Sequence, residues 1–163
     1  MSKVDAIPKG YHTITPTLTV SDAKAAIEFY KKAFGAEEIQ ICLAPDGKQV
    51  MHAEIKIGDS IIMLNDEYPS MGVVGPKSLG GTTGSMFFYT ENVDVAFERA
   101  IKAGATEVMP VSDQFWGDRF GCVLDPFGHK WGISTHVADL SKEEIEKAQK
   151  EWSAKNKEMA HAK

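Results

Sequence analysis

The chain has 163 residues, 43% of them hydrophobic, and a formal net charge of −5, long enough to bury a core as one domain or two tightly joined halves. The acidic balance argues against a nucleic-acid partner, which needs a basic face. Apolar runs such as residues 61–64 and 86–89 fall far short of the ~20 residues that span a bilayer. Residues 1–9 hold no apolar signal segment, and Cys42 and Cys122 lack metal-type spacing and read as reduced core residues in two different strands. A cytoplasmic protein without a membrane partner is expected.

From the N-terminal side, Thr13 to Val20 alternates Thr13, Thr15, Thr17 and Thr19 with Ile14, Pro16, Leu18 and Val20, the period of a half-buried strand. Pro16 makes it an edge strand or one with a local break. Ser21 or Asp22 can cap a helix whose apolar face is Ala23, Ala26, Ile27, Tyr30, Ala33 and Phe34, and Gly35 suits its end. Strands are expected at Glu37 to Leu43, Met51 to Ile57 and Ser60 to Asn65, with turns at 45–47 and 58–59. Residues 66–84 hold five of the fourteen glycines and two of the seven prolines. They show no periodicity and read as a long connecting loop.

The same order then recurs about seventy residues on. Thr90-Glu91-Asn92-Val93 opens a second helix pattern, Val93 to Ala103, that stops at Gly104-Ala105 as the first stops at Gly35-Ala36. A strand is expected at Ser85 to Thr90, then others at Thr106 to Val111, Arg119 to Leu124 and Lys130 to His136, with Asp125-Pro126-Phe127-Gly128 as a turn. The result is an α+β chain of two βαβββ modules, residues 11–65 and 85–136, within one domain of residues 1–140. In the tail, residues 141–163, Ser141-Lys142-Glu143-Glu144 forms a capping box, with Leu140 set to staple onto Ile145. Ile145, Ala148 and Trp152 form a narrow apolar stripe on a helix that frays toward Lys163.

The two modules, the Gly58-Asp59 turn before the first module's last strand and the Asp125-Pro126-Phe127-Gly128-His129 turn before the second's together resemble the vicinal oxygen chelate superfamily of glyoxalase, bleomycin resistance proteins and extradiol dioxygenases. Phe115-Trp116-Gly117-Asp118-Arg119, followed by Asp125 to Trp131, is most similar to its PhnB-like branch. The resemblance covers roughly Tyr11 to His136. It implies two sheets that curve around a cleft, often completed by a second subunit, and in the metal-dependent members four His, Glu or Gln ligands from the first and last strands of each module. Here the corresponding positions are Thr15, Met63, Ser85 and Gly132. Two hydroxyls, a thioether and a glycine do not make a ligand set for a catalytic divalent ion, so no metal and no cofactor are expected. The bleomycin-binding members, which hold a ligand in the cleft without that chemistry, are the closest precedent.

The resemblance also fixes which strand faces meet the cleft. The expected ligand-contacting residues are Thr15, Met63, Ser85, Phe87, Tyr89, Trp116, Arg119, Gly132 and His136, and Ala53, Ile55 and Ile57 under the helix would turn His52, Glu54 and Lys56 to the same side. His52 and Glu54, two apart on one strand face, are the candidate catalytic residues, as an acid–base pair or ligands of a shifted metal. The alternative is a solvated polar pair, and His136 has the same two readings. Trp116 can stack a ligand and Arg119 can clamp an anion, or they can close the core and pair with Asp118, Asp125 or a helix carboxylate. Three roles stay open: a homodimeric small-molecule binder without the usual metal; a lyase, isomerase or dioxygenase-type enzyme with a rearranged site using His52, Glu54 and His136; or an interaction module built on the C-terminal helix.

Overall fold

A computed structural model describes residues 4–155. The elements run β1 (Thr17–Val20), α1 (Ala23–Phe34), β2 (Glu37–Leu43), β3 (Val50–Ile57), β4 (Ser60–Asp66), α2 (Pro76–Leu79), β5 (Ser85–Tyr89), α3 (Val93–Ala103), β6 (Thr106–Asp113), β7 (Asp118–Leu124), β8 (Lys130–His136) and α4 (Lys142–Lys155). They form two four-stranded sheets of matching order, β1-β4-β3-β2 and β5-β8-β7-β6. Each module thus closes its first strand onto its last in parallel and runs the rest antiparallel. Thr17 faces Met63 across the first sheet and Phe87 faces Gly132 across the second, so the repeat holds at the level of single residues.

The two long helices form where their caps allow. The Asp22 carboxylate accepts from the Ala25 amide and the Asn92 side chain from the Val95 amide, replacing bonds the first turn cannot make internally. Gly35 and Gly104 end both helices at positive φ, where a side chain would be strained. Helix α1 buries Ala26, Ile27, Tyr30, Ala33 and Phe34, and α3 buries Val93, Ala96, Phe97 and Ala100. One continuous core takes both faces together with Leu18, Ile55, Leu64, Val123, Trp131 and Ile133 from the sheets.

Aromatic rings join the modules: Phe34 lies 4.6 Å from Trp131 and 5.2 Å from Phe88 between ring centroids. Asp125 does more than shape its turn. Its carboxylate accepts from the Phe127 and His129 amides, from Trp131 Nε1 and from the Tyr30 hydroxyl of α1 at 2.7 Å. His129 in the same turn donates to the Thr19 carbonyl of β1.

Several expectations are revised. Thr13 to Pro16 is not strand; β1 begins at Thr17, because Pro16 has no amide to give a ladder, although its carbonyl still accepts from the Met63 amide. The 66–84 segment is partly ordered, with a single 3-10 turn at Pro69–Met71, the short α2 and a bridge between Tyr68 and Val73. Cys42 is exposed and Cys122 half-buried, and both are free thiols. The capping box forms, with the Ser141 amide donating to Glu144 and the Glu144 amide to Ser141 Oγ. Trp152 of α4 meets Phe115 at 5.8 Å. The expected fraying toward Lys163, and His161, lie outside the described residues.

Candidate functional site

Because strand side chains alternate, burying Leu18, Ala53, Ile55 and Leu64 against α1 turns Thr17, Thr19, His52, Glu54, Met63 and Asn65 to the opposite face of the first sheet. Burying Val123, Trp131 and Ile133 likewise turns Phe87, Tyr89, Phe120, Gly132, Ser134 and His136 away from the helices in the second. These two faces carry the polar and aromatic groups that core packing does not use.

On the first face Glu54 is buried at 5% exposure. It accepts from the Tyr11 hydroxyl and from His52 Nε2, the latter at 3.0 Å. Burial pushes its carboxyl up, but the bonds from Tyr11 and His52 outweigh this and hold it below the usual carboxylate value, so the group is an anion at neutral pH. A cavity of about 430 Å³ opens beside it, lined by Tyr11, His12, Thr15, Glu54 and Met63. Thr15 and Met63 are therefore brought together, as the repeat requires, with the His52–Glu54 pair adjoining them. Lys56 is exposed. Tyr11 lies 43 residues from its partner and ahead of the first strand, so no periodic pattern pointed to it.

The second face is built differently. Phe87 and Phe120 stack nearly parallel, 5.4 Å apart and 6° between planes. They lie directly over Gly132, where a Cβ would come within 2.7 Å of Phe87 and 2.8 Å of Phe120. The absence of a side chain at Gly132 is thus what leaves room for the two rings above it. Tyr89 packs edge-on to Phe87 at 5.4 Å, and Trp116 leans on Phe120 at 6.2 Å. Phe87 is 49% and Tyr89 63% exposed, so the rings form an open aromatic floor. Ser85 is exposed at its border, paired across the ladder with Lys130.

Asp118 anchors this floor. It is buried at 3% exposure and accepts from His136 Nδ1 (2.8 Å), the Tyr89 hydroxyl (3.1 Å) and Trp116 Nε1 (3.1 Å). Burial raises its carboxyl, and the bonds from His136, Tyr89 and Trp116 more than reverse that, leaving it lowered. His136 also reaches Asp139 through Nε2 at 3.0 Å. With a carboxylate on each nitrogen, Asp118 foremost, its pKa is raised, and the protonated ring donates from both nitrogens. Asp118 stood outside the candidate set; its place two residues from Phe120 on one strand face, and two from Trp116, is the signal that could have found it.

Arg119 is turned away from this floor. Its guanidinium makes paired bonds to Asp94 of α3 and a third to Asp113 of β6. Strand β7 starts at Asp118, so alternation sends Arg119 to the helix side with Gly121 and Val123.

Residues 11–133 match a family model described as the Glyoxalase/Bleomycin resistance protein/Dioxygenase superfamily. An uncharacterized protein of Mycobacterium bovis is 44% identical over 138 residues, covering 83% of this chain and 90% of its own. An uncharacterized protein of Arabidopsis thaliana is 31% identical over 127 residues, covering 72% and 76%. Among solved structures, TioX of Micromonospora sp. ML1 aligns with a TM-score of 0.62 at 27% identity, covering 77% of this chain and 99% of TioX. A PhnB protein from Bacillus cereus, described as a putative 3-demethylubiquinone-9 3-methyltransferase, shares the fold with a TM-score of 0.60 at 20% identity, covering 76% and 99%.

Proposed function

Because the chain belongs to the glyoxalase/bleomycin resistance protein/dioxygenase superfamily, we propose that it binds a bulky, partly aromatic small molecule on the helix-free faces of its sheets, without a divalent metal at the superfamily's usual position. The observation that carries this reading is the stack of Phe87 and Phe120 over Gly132. A metal ligand there would have to displace both rings, whereas a planar ligand gains stacking contact and apolar burial on them. Thr15, Met63 and Ser85 add hydroxyls and a thioether, a poor donor set for a hard cation. The half-exposed rings and Ile14, 84% exposed, support a homodimer in which a second copy closes over them. Two free thiols are in keeping with a cytoplasmic, reducing setting, and among the described residues no helix is long and apolar enough to cross a membrane.

A panel of bulky planar aromatic compounds, bleomycin among them, should raise the melting temperature of the purified protein, and light scattering should give a dimer mass. A monomer that no compound stabilises overturns the reading. One observation favours a second reading, an enzyme with a rearranged site: buried Asp118 orients His136 as an acid–base group is oriented by a carboxylate. That reading expects turnover of methylglyoxal–glutathione adducts or catechols that His136→Gln abolishes, and it fails if neither substrate class reacts.

A further inference from the structure

Between the two sheets, along the free edge of β5, lies a cavity of about 610 Å³, within the size range of small-molecule pockets. Its apolar wall includes Phe34 of α1, Ile62 of β4, Phe88 of β5 and Trp131 of β8, and Arg99 of α3 closes one side. Arg99 is held by its Nε, which donates to the Ala33 carbonyl at the end of α1 at 2.7 Å. That bond fixes the root of the guanidinium and leaves its two terminal nitrogens, four N–H donors in a planar fork, for other partners.

The charge around the two arginines differs. Arg119 is neutralised by Asp94 and Asp113, whereas Arg99 makes no ion pair among the described residues and meets only a neutral carbonyl. The cavity's one carboxylate, Asp59, sits at the β3–β4 turn and accepts from Ser60 Oγ. In a chain of net charge −5, an uncompensated guanidinium at the side of an apolar cavity favours an anion with an apolar body.

We propose that this inter-sheet cavity binds an aryl carboxylate, its ring against the partly exposed Met86 and Phe88 and its carboxylate on the Arg99 fork. The cavity shares Phe87 and Tyr89 of β5 with the aromatic floor, but Trp116, Asp118 and Phe120 take no part in it, so a ligand in the cavity and one on the floor are told apart at those three residues.

Calorimetric titration with cinnamate, and with cinnamylamine as a cation of the same shape, tests it. Cinnamate should bind and cinnamylamine should not. Arg99→Gln should weaken cinnamate at least about tenfold, the loss of a charge-assisted pair, with the circular dichroism spectrum unchanged. Met86→Trp, which fills the cavity from β5 without touching Arg99, should abolish binding, and Trp116→Ala should leave it intact. If Arg99→Gln does not fold, Arg99→Lys keeps the charge and loses the fork, and should still bind more weakly. No cinnamate binding at millimolar concentration, equal binding of the amine, or full affinity in an arginine variant overturns the proposal. Loss of cinnamate binding in Trp116→Ala would also overturn it, by assigning the ligand to the aromatic floor.

Discussion

Glu54 on the first sheet and Asp118 on the second are both buried carboxylates, and each accepts from one tyrosine and one histidine. They do not occupy matching places in the repeat. Glu54 pairs across the ladder with Met63, whereas the residue that pairs with Gly132 is Cys122, and Asp118 pairs instead with His136. The surroundings differ as well. Glu54 takes its tyrosine from a segment ahead of the first strand, which folds back over the sheet and leaves a cavity beside Thr15 and Met63. Asp118 takes its tyrosine from β5 itself and ties Tyr89, Trp116 and His136 around an open floor of rings. The two modules share their helix caps and the register of the first strand on the last. What each module does with its helix-free face depends on whether a side chain fills the Met63 and Gly132 position.

That contrast can be broken most severely at Gly132. Gly132→Val drives a branched side chain into Phe87 and Phe120. It should cost about 1–3 kcal/mol as overpacking, seen as a fall of several degrees in melting temperature, together with loss of ligand binding to the floor. Met63→Val at the matching place in the first module displaces no ring stack and should cost less. Equal losses at the two sites would refute the assigned difference.

Asp118→Asn sharpens the electrostatic half of the comparison. His136 has a raised pKa caused first by Asp118 and then by Asp139, so its contribution to stability is complete below its unfolded value of about 6.5 and is lost as pH rises through the higher folded value. Asp118 is lowered, so its contribution is present above about 3.9 and is lost as pH falls through its folded value. In Asp118→Asn the His136 midpoint in an NMR titration should move down toward that of a free histidine, and the decline of stability as pH rises above about 6.5 should flatten. An unchanged midpoint would show that Asp139 alone sets it.

The smallest effect is expected from Tyr11→Phe, which removes one hydrogen bond to Glu54 from a partly exposed tyrosine, worth about 1.5 kcal/mol, the low end for a charged acceptor. The segment around Tyr11 should become cleavable by limited proteolysis while the two sheets stay intact. Protection equal to that of the wild type would show that the bond to Glu54 does not hold the segment down.

Legibility in the sequence followed physical range. Helices α1 and α3 were readable because Asp22, Asn92, Gly35 and Gly104 act within one turn of the helices they delimit. The burial of Ala53, Ile55 and Ile57 under α1 was readable because alternation fixes it. With the phase taken from the resemblance, the same alternation puts Met63, Phe87 and Gly132 on the faces turned away from the helices. They stop where contacts span sequence: Tyr11 to Glu54, Tyr30 to Asp125 and Tyr89 to Asp118 join residues 43, 95 and 29 apart. Arg119 was legible in chemistry but not in direction, since its face is set by the burial of Val123 four residues on and by its partner Asp94 on α3, 25 residues away. Thr13 to Pro16 kept the strand alternation in letters, but a proline in the edge strand withholds the amide a ladder needs.

We propose, as the central claim, that the second module's face holds a ligand on stacked rings at Gly132, the position that the resemblance to metal-dependent members of the superfamily assigns to a metal ligand. It is tested most directly by thermal shift with the aromatic panel on protein dialysed against a chelator, side by side with its Phe120→Ala variant. At least one compound should stabilise the chelator-treated wild type and lose that effect in the variant. Stabilisation that returns only when a divalent metal is restored, or that Phe120→Ala leaves untouched, would contradict the account.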